Sequence, residues 1–244
     1  MPRVTDATTL LRKLTAVDLY RLQTGTIGDT TTSALTAKGA ATLALTGFTN
    51  FTSGDPVFLI GSGGMELISA IGTPGASTPI TNQKVHFAQN AGARVVEAQK
   101  ISLGKIGKKT TKFSPSKSLT AIFSDVDDGA IAYLDGPIEI GMSFGLYDWT
   151  PLALQLALGL NDDETGAGTT ADPYQGSIGD PVQAYQTFQA IRCTGLRADG
   201  KTFEIDFLNC RFEVSGEIAL DARDEASIIP VSIKAPQLIW RTRT

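Results

Sequence analysis

The motif with the clearest chemical meaning is the sequence Gly-Met-Ser-Phe-Gly at residues 141–145. In α/β-hydrolases, Gly-x-Ser-x-Gly places a nucleophilic serine on a sharp turn between a strand and a helix, and an Asp and then a His follow later in the chain. The only histidine here, His86, precedes Ser143, so no triad of that order can form. We therefore interpret the motif as a strand that contains two glycines, and we predict no catalytic residue.

A weaker likeness to a phosphate-binding loop lies around Gly107 and Lys108, which match the middle of the pattern Gly-x-x-x-x-Gly-Lys-Ser/Thr. Ser102 stands where the first glycine belongs, and Lys109 stands where a hydroxyl should bind magnesium. Residues 61–66 likewise fail the dinucleotide-binding pattern. We therefore predict no nucleotide cofactor.

Metal chemistry also lacks its ligands in the sequence. One histidine and two separated cysteines do not make a common zinc site. Asp125, Asp127 and Asp128 could suggest calcium, but the EF-hand spacing and its later Glu are missing. We predict no metal site and interpret His86, in a strand-like pattern, as a packing or hydrogen-bonding residue.

Charge argues against recognition of a nucleic-acid sequence. The net charge is -4 and the isoelectric point about 5.1, whereas nucleic-acid-binding proteins usually carry a dense basic face. A basic run between residues 105 and 117 is interleaved with one aromatic residue, Phe113. This run fits a solvated face, or a seam in which it meets the acidic Asp162, Asp163 and Glu164 of another copy.

The two cysteines, Cys193 and Cys210, flank a turn sequence, Ala-Asp-Gly at 198–200. Counting outward from that turn places Cys193 opposite a residue near Ile205, so a disulfide is not favoured and a reducing compartment is expected. The start of the chain lacks the apolar core of a signal peptide, and no apolar run is long enough to span a bilayer.

Composition favours an all-β protein with long loops. The 244 residues include 25 glycines, 11 prolines and abundant threonine, which suit turns and β-branched strand positions. Residues 1–40 are predicted as an N-terminal arm and linker, with either a short helix or an extended arm over 6–22. Residues 41–103 form a predicted small β-barrel-like module, with strands at 42–46, 57–60, 66–71, 82–88 and 94–96.

Residues 104–237 are predicted as a β-sandwich with one short flanking helix, and residues 238–244 as a C-terminal tail. The helix is placed at 151–158, with Thr150 as its N-cap and Pro151 at its first position. A long polar loop follows at 161–181. Strands are expected at 119–123, 130–134, 138–144, 187–194, 202–208, 211–219 and 228–233.

Three sequence segments carry a family resemblance. Phe-Glu-Val-Ser-Gly-Glu-Ile at 212–218 and Ile-Pro-Val-Ser-Ile-Lys-Ala at 229–235 resemble the closing strands of the major tail tube proteins of long-tailed, siphovirus-type phages. Asp-Gly-Pro-Ile-Glu-Ile at 135–140, with the helix after it, is similar to the strand-and-helix part of that family. The small module at 41–97 is similar to SH3-like barrels of virion and surface proteins and would be an insertion.

The resemblance implies a non-enzymatic virion protein, assembled in the host cytoplasm, that forms hexameric rings stacked into a tail tube. DNA would pass through the tube without sequence recognition, and the partners would be further copies, a tape-measure protein and a tail terminator. A head decoration or neck subunit is the alternative. The candidate self-assembly contacts are Leu10, Leu14, Lys108, Lys109, Asp162, Asp163, Glu164 and Trp240.

Overall fold

The computed structural model describes a chain built almost wholly from antiparallel strands, which confirms the predicted all-β fold. It describes residues 11–22, 28–47, 49–69, 71–72, 83–104, 106–107, 110–123, 130–148, 150, 153, 171, 187–213 and 228–243. In these ranges the strands are β1 Leu11–Leu22, β2 Asp29–Thr31, β3 Val57–Gly61, β4 Gly64–Ile68, β5 Arg94–Ser102, β6 Lys112–Phe123, β7 Ala130–Leu146, β8 Thr187–Arg197, β9 Thr202–Glu213, β10 Ile229–Ala235 and β11 Gln237–Arg243.

The chain divides into two compact units. The small unit comprises Asp18–Ser102 and Phe188–Cys193, and the large unit comprises Met1–Val17, Leu103–Thr187 and Thr194–Thr244. Strands β1 and β8 therefore contribute residues to both units. The small unit includes the segment predicted as an inserted module, together with residues before it and a stretch far along the chain.

The small unit is organised around β5. The first half of β5 pairs with β3 on one edge and with β2 on the other. The second half of β5 pairs with β1. A tight hairpin joins β3 to β4, and Gly64, at φ 117°, adopts a backbone conformation that favours glycine. Apolar side chains fill the interior: Leu43, Leu45, Phe51, Val57, Leu59, Ile68, Ile71, Val85, Ala93 and Val95.

A buried arginine ties β8 into the small unit. The Arg192 guanidinium donates hydrogen bonds to the carbonyl oxygen of Leu67 (3.3 Å) and to the hydroxyl of Ser69. It also lies over the Tyr20 ring, 5.6 Å from the centroid, at a distance typical of a cation–π contact. These contacts explain how residues 188–193 join a unit otherwise made from the first part of the chain.

The large unit has the strand order β8-β9-β10-β7-β6, and β11 pairs with β9. One complete row across four strands is apolar: Phe113, Met142, Ile233 and Phe212 stand opposite one another. Residues directly opposite share a sheet face, and the last three of these are buried. This row gives the sheet its core side.

Two segments were not fully defined by the sequence prediction. The apolar spacing over 6–22 left a short helix and an extended arm open, and residues 11–22 form a strand, β1, whose residues 18–22 pair with β5. The predicted tail forms most of β11, which pairs with β9 from Gln237 to Arg243. A segment this short gives little periodic signal without the partner strand that orders it.

Other predictions can be followed in part. Most of the predicted helix, and the loop at 161–181 apart from Ala171, lie outside the described residues. Ala153 is helical, and its N–H donates to the hydroxyl of Thr150 (3.1 Å), as expected of an N-cap. Cys193 and Cys210 are buried free thiols, which confirms that they form no disulfide.

Removing the side chain of Ile233 should destabilise the large unit strongly. Ile233 is fully buried between Met142 and Phe212, so Ile233→Ala should lower the free energy of unfolding by about 2–5 kcal/mol. The matched control is Ser232→Ala, one residue away on the opposite face, which should change it by under about 0.5 kcal/mol. Urea unfolding followed by circular dichroism measures both, and equal losses would contradict the assignment of faces.

Candidate interaction site at a fork in the sheet

Ser143 lies in the interior of β7, in a regular ladder. It stands opposite Lys112 of β6 and Ser232 of β10. A nucleophile elbow needs a sharp turn from strand to helix, and here the strand runs on to Leu146. Ser143 is therefore a ladder residue, in agreement with the interpretation of its motif as a strand.

His86 belongs to the small unit, whereas Ser143 belongs to the large one. The His86 backbone N–H donates to the buried carboxylate of Glu66, at 2.9 Å to Oε1 and 2.8 Å to Oε2. Its ring packs edge-on against Phe87, with 4.7 Å between the centroids. These contacts give His86 a structural place in the loop that precedes β5.

Two of the eight predicted assembly contacts lie within the described residues. Leu14 is half-buried on β1, and Trp240 is 66% exposed on β11. The others, Leu10, Lys108, Lys109, Asp162, Asp163 and Glu164, lie outside the described residues. Trp240 thus stands alone as an exposed candidate whose place in the fold is defined.

The described ranges contain neither a metal-binding cluster nor a membrane-spanning helix. No group of three or more His, Cys, Asp or Glu side chains is placed to hold a metal ion there. In the same ranges, no helix has the length and apolar character required to cross a membrane.

The large unit presents a polar sheet face opposite its apolar row. Two complete rows across β6, β7, β10 and β9 flank the apolar one, and their members are small or charged. They are Lys112, Ser143, Ser232 and Glu213, and then Ser114, Gly141, Lys234 and Arg211. The alternation of polar and apolar rows is that of an antiparallel sheet with one face packed and one face open.

This sheet forks where two prolines interrupt its pairing. The ladder between β10 and β7 ends at Ala235 and Ile140. Pro236 follows on one strand and Pro137 precedes on the other, and neither can donate a backbone hydrogen bond. Beyond this point β11 continues along β9, whereas the first half of β7 pairs with β6.

One residue of β9 beside the fork has an unusual backbone conformation. Asn209 has φ 55°, in the left-handed region that asparagine tolerates better than most residues. It lies between the stretch of β9 that pairs with β11 and the stretch that pairs with β10. The left-handed residue therefore marks the place where the partner of β9 changes from β10 to β11.

The fork contains a cleft of about 390 Å³, which we call the fork cleft. Its apolar part includes Ile138, whose side chain is 53% exposed. Its polar part includes two acidic and two basic side chains. The lining residues are Ile138, Glu139, Asn209, Arg211, Glu213, Lys234, Ala235 and Pro236.

The two basic side chains of the fork cleft differ in their contacts with its acidic side chains. The Lys234 ammonium lies 3.1 Å from Glu213 and 3.8 Å from Glu139, and its hydrogen bond to Glu213 raises its pKa. Arg211 is exposed and forms no ion pair with any residue that the structure describes. Among the residues that the structure describes, Arg211 is therefore the cation of the cleft without a carboxylate partner.

A buried ion pair fixes β11 beside β9. Arg241 of β11 contacts Asp206 of β9, whose side chain is fully buried. A shift of β11 along β9 would separate the two charges and leave the buried carboxylate farther from its cation, which would destabilise the folded protein. The pair therefore favours the observed register of β11 with β9. It thereby holds one side of the fork in place.

No protein-family profile matches the chain, and a search of curated proteins found no significant match. The fork itself was missed by sequence reasoning, because residues 238–244 were assigned to a tail. Pro137 and Pro236 were the available signal, since proline in a strand marks a point at which pairing stops.

Replacing Glu97 with glutamine should flatten the dependence of stability on pH. Glu97 is buried in the small unit, where it accepts hydrogen bonds from the N–H groups of Gly28 and Thr52. Burial, and then a hydrogen bond with Asp55, raises its pKa above the ordinary 4.5. The folded protein therefore keeps a proton that the unfolded chain has lost, so stability falls as pH rises through that interval.

The glutamine side chain of Glu97→Gln is neutral at every pH, so this variant should lose the decline in stability. Urea unfolding midpoints of the wild type and the variant, measured between about pH 4 and 8, would show the difference. Glu139→Gln is the control, because it removes a carboxylate that is 58% exposed and should leave the decline in place. A decline that is the same in the wild type and Glu97→Gln would exclude Glu97 as its source.

Proposed function

We propose that this chain is a non-enzymatic structural subunit that assembles with copies of itself into rings and tubes, as a phage tail tube protein does. The observation that carries the proposal is the exposure of large apolar side chains on strands of the large unit. Phe113 is 51% exposed on β6, Ile138 53% on β7 and Trp240 66% on β11. Exposed apolar groups on sheet edges are typical of surfaces that another chain covers.

The arrangement of the sheet faces supports the same proposal. The polar face carries serines, a glycine and charges of both signs, so it offers no strong attraction for a polyanion. Such a face suits the wall of a channel through which DNA passes without being recognised. The apolar rows behind it supply the rigidity that a wall requires.

The family resemblance adds the form of the assembly. It implies hexameric rings that stack into the tube of a virion tail, with a tape-measure protein inside during assembly and a terminator at one end. The small unit would be an addition to the tube subunit. No cofactor is required for this function, since the work is done by contacts between copies.

Concentrated, purified protein should form rings or hollow tubes in negative-stain electron microscopy. The fraction in assemblies, measured by analytical ultracentrifugation, should rise with protein concentration, because association follows mass action. A small closed oligomer that never polymerises would instead favour a head decoration or neck subunit. A monomer at every concentration would overturn the proposal of self-assembly.

A further inference from the structure

We propose that the fork cleft of one copy binds the acidic link between β6 and β7 of a second copy, so that copies join head to tail. The link is residues 124–129, Ser-Asp-Val-Asp-Asp-Gly. This inference rests on the proposed self-assembly and assigns the two surfaces that perform it.

Backbone edges make the fork a suitable place for an added strand. Within the described residues, β11 is paired along its β9 edge and the first half of β7 along its β6 edge, and no described strand pairs with the second edge of either. Unpaired strand edges bind extended segments through main-chain hydrogen bonds. The outer edge of β6 is less suitable, because it carries Pro115, which has no N–H to donate, and Lys112, whose charge opposes the approach of another strand.

The chemistry of the cleft matches the sequence of the link. Arg211 can donate two hydrogen bonds to a carboxylate in a bidentate contact, and exposed Ile138 can pack against an apolar side chain. In an extended segment, Asp125 and Asp127 would point to one side and Val126 to the other. The link therefore provides carboxylates for Arg211 and an apolar side chain for Ile138, and in an extended segment these would lie on opposite sides.

Geometry requires that the link come from another copy. The link precedes Ala130 at the start of β7, and Ile138 lies eight residues further along the same continuous strand. Eight residues of a strand span about 26 Å, so a chain cannot bring its own link into its own fork cleft. The contact joins two different surfaces, and repeated contacts of that kind generate rings or open helical assemblies.

A charge exchange tests the contact directly. Arg211→Glu, and separately the triple variant Asp125→Lys, Asp127→Lys and Asp128→Lys, should each raise the concentration needed for assembly by about tenfold or more. Mixing the two variants should restore assembly, because each reversed surface then finds its opposite on the other chain. Lys201→Glu, at the exposed turn between β8 and β9, is the control for charge alone and should assemble as the wild type does.

The readouts are sedimentation and negative-stain microscopy, with circular dichroism to establish that each variant is folded. Loss of assembly in each variant alone, with recovery in the mixture of the two, supports the contact. Unchanged assembly in the folded variants would overturn it while leaving the proposed function standing. A small oligomer that depends on both surfaces but never forms rings or tubes would support the contact and overturn the tube. A wild type that stays monomeric would overturn both.

Discussion

The large unit depends on the backbone ladder of β9, which two partner strands share. Its second half pairs with β10 and its first half with β11, and Asn209 lies between the two stretches. The ladder between β10 and β7 ends at Ala235, and Pro236, which has no N–H to donate, follows at once. The cleft lies at this end of the ladder, where β11 stays beside β9 and the first half of β7 beside β6.

Burial and charge hold these strands in different ways. Where the sheet is undivided, the apolar row through Met142, Ile233 and Phe212 fixes the strands by packing. Beyond the fork, β11 depends on the ion pair between Arg241 and Asp206 as well as on its ladder with β9. Substitution of either partner should destabilise this part of the sheet, since it removes one of the charges that compensate a buried group.

Two kinds of surface follow from this construction, and they suit different tasks. The polar rows that include Ser114, Ser143 and Ser232 carry small side chains and charges of both signs, as the proposed channel wall would require. The fork combines exposed Ile138 with Arg211, as the proposed contact between copies would require. A structural subunit of a tube would need both kinds.

The sequence by itself determined the all-β class and most strand positions, because turn residues and period-two alternation are local properties of the chain. It also disfavoured a disulfide, from the spacing of Cys193 and Cys210 about their turn. Only the tertiary structure decided that residues 11–22 form a strand, that the expected tail forms β11 and that Arg192 joins the small unit. The physical reason is the same in each case: these segments obtain their hydrogen bonds or counter-charges from residues distant in the sequence, and local patterns carry no record of such partners.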